Sequence, residues 1–116
     1  MFSNKNSKQK SEALKKILDK EGIISMPGCF DALSAKLIEM EGIEVGFMSG
    51  FSVSSTKLGM PDTGLISFAE MLEQVKNISN ATSIPFIFDG DTGYGNSVNV
   101  YRTVRDYANA GAAGVM

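Results

Sequence analysis

The residues best suited to chemistry lie between Ile84 and Asn96, where the chain reads Ile-Pro-Phe-Ile-Phe-Asp-Gly-Asp-Thr-Gly-Tyr-Gly-Asn. A short apolar run that gives way at once to acids and glycines has the form of a strand buried on both faces, as in a parallel sheet under helices. Asp89 and Asp91 are separated by one residue at the end of that run, so their side chains leave the same side of the chain. Gly90, Gly93 and Gly95 permit a tight loop and close approach of a ligand to the backbone. Two carboxylates held together repel each other, and a hard divalent cation that takes oxygen ligands relieves the repulsion. A plainer reading is that the pair caps the next helix or bonds loop amides. Spacing alone leaves the two readings balanced.

Other acidic loops fit less well. An EF-hand counted from Asp89 needs Gly at its sixth position and Glu at its twelfth, and the chain has Tyr94 and Val100 there. A phosphatase loop with an Asp nucleophile and a second Asp two residues on is disfavoured by Gly93 at the fifth position. Ser49-Gly50 follows an apolar run and could present a hydroxyl and an amide to a carboxylate or phosphate, or be a plain turn. The stretch from Gly46 to Gly50 lacks the spacing of a nucleophile elbow. Cys29 reads as a small buried residue, since the chain has no histidine to activate it. Asp62 after Pro61 reads as a turn residue unless something draws it into the site.

The elements that must position these residues alternate along the chain. Residues 1–10 form a polar start expected to be disordered, and residues 11–116 form the structured part. From Ser11, the residues Leu14, Ile17 and Leu18 share one helical face until Gly22. Ile23–Met26 reads as a first strand, and Asp31 as the N-cap of a helix that buries Leu33, Leu37 and Ile38. Val45–Met48 is the second strand, followed by a long loop from Ser49 to Gly64. Ser67 and Glu70 make a capping box, and Phe68, Met71, Leu72, Val75 and Ile78 continue at helical spacing. After the acidic loop, a helix from about Ser97 or Val98 to Ala110 places Tyr101, Val104 and Ala108 on one face, and Ala112–Met116 opens a fourth strand. Strand and helix in alternation give parallel strands with right-handed crossovers. The expected fold class is α/β, the N-terminal portion of a (β/α)8 barrel that stops in about its fourth strand. A doubly wound sheet is the alternative, but its Gly-x-Gly-x-x-Gly signature is missing.

Composition narrows the function classes. The 116 residues, 43% hydrophobic and 21% charged, call for a packed core and fall well short of the roughly 250 residues of a whole barrel. A formal charge of −2, from 11 basic and 13 acidic residues, offers no field for nucleic acid or an anionic membrane. Cys29 is the only cysteine, which excludes an internal disulfide and agrees with a cytoplasmic location. Nothing in the sequence resembles a signal peptide or a membrane span.

Four stretches in order, Pro27 to Ala35, Ser49-Gly-Phe51, Leu58 to Asp62 and Asp89 to Asn96, resemble the isocitrate lyase and phosphoenolpyruvate mutase superfamily. The resemblance implies a (β/α)8 barrel, assembled as a homotetramer, that uses Mg2+ to bind small 2-oxo or 2-hydroxy carboxylates. It implies that Ser49, Gly50 and Phe51 hold the substrate, that Asp89 and Asp91 belong to the Mg2+ shell, and that Asp62 is a catalytic acid near both. Phe47 stands where many members carry Tyr or Trp. The Glu-Asp and Lys-Lys-Cys-Gly-His segments and the carboxylate-clamping arginine of the superfamily do not occur within the 116 residues. The implied reaction is cleavage of a C–C bond next to a 2-oxo or 2-hydroxy carboxylate. The alternatives are phosphonomutase chemistry and a catalytically silent truncated product.

Overall fold

Four short strands set the frame: β1 (Gly28–Cys29), β2 (Gly46–Met48), β3 (Phe86–Phe88) and β4 (Gly114–Val115). They pair in chain order, all parallel, with Gly28 opposite Phe47, Phe47 opposite Ile87 and Ile87 opposite Gly114. The computed structural model describes residues 5–116. The helices are α1 (Lys5–Leu18), α2 (Ala32–Met40), α3 (Gly50–Leu58), α4 (Phe68–Ala81) and α5 (Ser97–Ala110).

Alternation along β3 divides the core. Phe86 and Phe88 join Cys29, Met48, Met71, Val75, Ile78 and Tyr107 in the larger cluster, where strands meet helices α2 to α5. Ile87 points to the other face, against Leu14 and Ile17 of α1 together with Val45 and Ala113. Each large apolar side chain buried in this way stabilises the fold by about 1.5–3 kcal/mol. Local signals start the helices. The Asp31 carboxylate accepts from the Ser34 N–H at 2.7 Å, Ser67 and Glu70 cap each other, and Asn96 does the same with Asn99.

Several expectations are revised. Of the polar start expected over residues 1–10, residues 1–4 lie outside the described part, and helix α1 already runs from Lys5. Tertiary bonds hold its first turns. Ser7 donates to the Ala112 carbonyl at 2.7 Å, and the Lys10 ammonium donates to the carbonyls of Ser79 and Thr82, both at 2.9 Å, closing the end of α4. Burial lowers the Lys10 pKa, and Glu39 opposes this.

The first strand falls at Gly28–Cys29 rather than Ile23–Met26, because pairing with β2 begins only where the Phe47 N–H reaches the Pro27 carbonyl at 3.0 Å. Ile23 is fully exposed. Leu33 and Leu37, expected inside, are 69% and 53% exposed, while Ala35 and Ile38 carry the contact of α2. On α5, Tyr101, Val104 and Ala108 do share a face, while the buried residues are Thr103 and Tyr107. The long loop after β2 is shorter than expected, since residues 50–58 form α3.

Candidate metal and carboxylate site

The carboxyl ends of the parallel strands form one edge, where the Ser49 N–H bonds the Cys29 carbonyl, Asp89 the Met48 carbonyl and Gly90 the Met116 carbonyl. Ligand sites in parallel α/β folds lie at this edge. Ser49 turns the chain from β2 into α3 as its N-cap, with its hydroxyl oxygen accepting from the Ser52 N–H at 3.4 Å. Across the strand boundary, the Gly50 N–H donates to Oδ2 of Asp89 at 2.9 Å. Oδ1 of Asp89 accepts from the Asp91 N–H at 2.8 Å. Thus the carboxylate of Asp89 is fixed from two sides and lies at the positive end of a nine-residue helix.

Gly50 must lack a side chain for this to happen, because a Cβ there would lie 2.7 Å from Oδ2 of Asp89. The sequence suggested that Gly50 offers its amide to a substrate anion; the structure commits that amide to Asp89. Of the first helical N–H groups, the Gly50 and Ser52 groups are used, and the Phe51 N–H has no intrahelical acceptor. The Phe51 ring is 60% exposed above the same edge. Ser49 retains a hydroxyl proton to donate.

The acidic loop is held by its own backbone and by α5. Asp91 and Tyr94 both take positive φ, 51° and 63°, in a stretch where Gly93 and Gly95 do so too. Thr103 donates to the Gly93 carbonyl at 2.9 Å, and the Tyr107 hydroxyl donates to the Asp89 carbonyl at 3.2 Å. Asp91 is exposed, whereas Asp89 is half-buried. The Tyr94 ring meets Phe68 edge-on, with centroids 5.8 Å apart, and its hydroxyl is buried. Burial pushes the Tyr94 pKa up to about 12, the hydroxyl of Tyr107 opposes this, and the carboxylates of Asp91, Asp89 and Asp62 add to it. Tyr107 is raised as well, by burial first. Asp62 is exposed on the irregular segment between α3 and α4. Cys29 is fully buried with its thiol pushed up to about 12 by burial, which fits the inert reading.

Of the sequence-derived residues, Ser49, Gly50, Phe51 and Asp89 therefore stand at one edge with Asp91, while Asp62 lies exposed on the separate segment between α3 and α4. Thr103, Tyr94 and Tyr107 were missed. The i, i+4 spacing of Thr103 and Tyr107 on α5, and an aromatic residue between two loop glycines, were the available signals.

Among the described residues, no three of His, Cys, Asp and Glu come together to enclose a metal. Mg2+ does not require such a cage, since it keeps several waters and takes one or two carboxylates. The two N–H donors leave each Asp89 oxygen with further acceptor capacity, and the side-chain ligand atoms that Asp89 and Asp91 offer are all oxygen. Asp89 and Asp91 thus fit Mg2+ in chemistry.

Fold and edge together define a parallel α/β enzyme segment of the (β/α)8 type with an acidic loop after its third strand. The sequence matches the family described as phosphoenolpyruvate phosphomutase over residues 14–116, and the chain belongs to this family, within the PEP mutase/isocitrate lyase superfamily. It is 45% identical over 100 residues to a chloroplastic carboxyvinyl-carboxyphosphonate phosphorylmutase of Arabidopsis thaliana, covering 85% of this chain and 30% of the relative. It is 41% identical over 100 residues to 2,3-dimethylmalate lyase of Eubacterium barkeri, covering 86% of this chain and 35% of the relative. Among solved structures, a phosphonopyruvate hydrolase in complex with oxalate and Mg++ superposes with a TM-score of 0.85 at 37% identity, over 91% of this chain and 37% of that one. The chain thus spans about a third of the length of these relatives. No helix among the described residues is long and apolar enough to cross a membrane.

Proposed function

We propose that this chain supplies the metal- and carboxylate-binding part of a Mg2+-dependent lyase that breaks a C–C bond next to a 2-oxo or 2-hydroxy carboxylate. The observation that carries this reading is the Asp89 carboxylate, held between the Gly50 N–H at 2.9 Å and the Asp91 N–H at 2.8 Å where a strand ends. Asp89 and Asp91 would hold Mg2+, with Asp89 the more direct ligand because it is the better fixed. When bound, Mg2+ would supply positive charge beside the substrate oxygens. The Phe51 N–H and the Ser49 hydroxyl would receive the substrate carboxylate at the positive end of α3. Gly50 contributes by admitting Asp89 to that position. Asp62, drawn in from its loop, would be the acid that handles a proton at the reacting centre.

Phosphonomutase chemistry is the second reading, favoured by the 45% identity to the Arabidopsis phosphorylmutase. Both readings place a 2-oxo carboxylate at the same edge and differ in the group that leaves its neighbouring carbon. The test is to express the whole enzyme containing this segment and to assay oxaloacetate, 2,3-dimethylmalate and phosphonopyruvate with and without Mg2+. Mg2+-dependent cleavage of either carboxylate supports the lyase, and turnover of phosphonopyruvate alone replaces it with the second reading.

A further inference from the structure

Two side chains with hydroxyls occupy the core face of α5, where purely apolar residues would fill the space. Thr103 and Tyr107 lie one helical turn apart and are 3% and 0% exposed. Val or Leu at such places would leave no polar group to satisfy, and a threonine inside a helix commonly turns its hydroxyl back to the carbonyl four residues earlier. Both hydroxyls instead leave their own helix. Thr103 donates to the Gly93 carbonyl at 2.9 Å and Tyr107 to the Asp89 carbonyl at 3.2 Å. These two acceptors are the ends of the turn that carries Asp91.

That turn is strained. Asp91 at φ 51° and Tyr94 at φ 63° hold left-handed conformations that cost a non-glycine residue stability. The Asp91 side chain is exposed, and its place beside Asp89 follows from the backbone between them. The peptide joining Asp89 to Gly90 is held on both sides, its carbonyl by Tyr107 and its N–H by the Met116 carbonyl at 2.9 Å. The Gly93 N–H closes the turn on the Gly90 carbonyl at 2.9 Å, and Gly93 lies so close to Val100 of α5 that a Cβ would not fit. The loop is thus seated on α5, and the two hydroxyls fix which way its end carbonyls point.

We propose that Thr103 and Tyr107 are positioning residues for the metal: by anchoring the carbonyls of Gly93 and Asp89, they hold the strained turn and the Asp91 carboxylate ready before Mg2+ arrives. Binding then costs no rearrangement of the loop. Released from either anchor, the turn relaxes and Asp91 moves away from Asp89, as repulsion between the two carboxylates favours. The proposal rests on the metal reading given above.

The test uses the full chain, as parent, Thr103→Val, Tyr107→Phe, Thr103→Ser and Asp89→Asn, with amide hydrogen exchange in the metal-free proteins and calorimetric titration of Mg2+. Thr103→Val and Tyr107→Phe keep the size of the side chain and remove the donor. Each is expected to speed exchange of the Gly90, Asp91 and Gly93 amides and to weaken Mg2+ binding, both by about three- to tenfold, the loss of one neutral hydrogen bond. Amides of α4 should exchange as in the parent, and Thr103→Ser, which keeps the hydroxyl, should restore both loop protection and affinity. Unchanged exchange in the loop, or Mg2+ affinity equal to the parent's in the folded variants, overturns the proposal, as does a Thr103→Ser protein no better than Thr103→Val. The two anchors hold different carbonyls, so if one variant does not fold the other decides. A parent that binds Mg2+ no better than Asp89→Asn removes the metal reading and this proposal with it, whereas a parent that binds Mg2+ while the variants match it removes the proposal alone.

Discussion

Replacing Gly50 by Ala sets a local preference against the site. Ala favours a helix over Gly by up to about 1 kcal/mol, so propensity alone predicts a more stable protein. The new Cβ, however, would lie 2.7 Å from Oδ2 and 3.1 Å from Cγ of Asp89. Ordinary contact begins near 3.4 Å, so the carboxylate or the start of α3 must move by about 0.7 Å. That shift breaks the 2.9 Å bond from the Gly50 N–H, a charge-assisted bond worth roughly 1.5–3 kcal/mol. The expected balance is a loss of about 1–2 kcal/mol, read by circular dichroism as a fall of about 1 M in the urea midpoint. Gly28→Ala is the control, because its Cβ would meet only the Phe47 carbonyl at 4.0 Å, and it should stay within about 0.5 kcal/mol of the parent. A Gly50→Ala protein as stable as the parent, or more so, would refute the lock between Gly50 and Asp89.

Three further outcomes are expected. Asp89→Asn turns an amide towards one of its two N–H donors and should lose about 1–3 kcal/mol in urea unfolding, whereas Asp91→Asn, exposed, should change stability by less than about 0.5 kcal/mol. Glu39 is held below its ordinary value of 4.5 chiefly by the Ser83 N–H, with Lys36 assisting. The unfolded chain therefore binds that proton more readily, and the stabilisation is complete above 4.5 and lost as pH falls through the lowered folded value. Thermal melts between pH 3 and about 6 should show a shallower decline for Glu39→Gln than for the parent. The 116-residue chain alone should show no turnover of oxaloacetate or phosphonopyruvate in a coupled pyruvate assay, since four strands offer only one side of a barrel site. Turnover at the rate of the whole enzyme would contradict this.

What the sequence made legible was set by local physics. Capping chemistry at Asp31 and at Ser67 with Glu70 acts within three residues, and both helices start where those residues place them. The parallel strand order follows from alternation, and β2 and β3 fall where apolar runs predicted. Asp89 at the end of β3 was legible for the same reason. Leu33 and Leu37 are exposed where the sequence predicts burial, because which helical face is buried depends on the neighbouring helices, and these are set by tertiary packing. The start of α1 was hidden because Ser7 and Lys10, polar in sequence, are held by carbonyls about a hundred and about seventy residues away. Helix α3 reads as loop in the sequence because Gly-Phe-Ser-Val-Ser-Ser-Thr-Lys-Leu has little helical periodicity; Ser49 and the Asp89 carboxylate fix its start instead.

The central claim is that the Asp89 loop and the start of α3 together bind Mg2+ and a small 2-oxo carboxylate. Calorimetric titration of oxalate into the chain, with and without Mg2+, tests it most directly, using the parent, Asp89→Asn and Asp91→Asn with circular dichroism to establish folding. Oxalate should bind the parent only when Mg2+ is present, with binding abolished in folded Asp89→Asn and weakened in Asp91→Asn. Equal, Mg2+-independent binding in all three folded proteins would contradict the claim and leave the two acids as caps of their own loop.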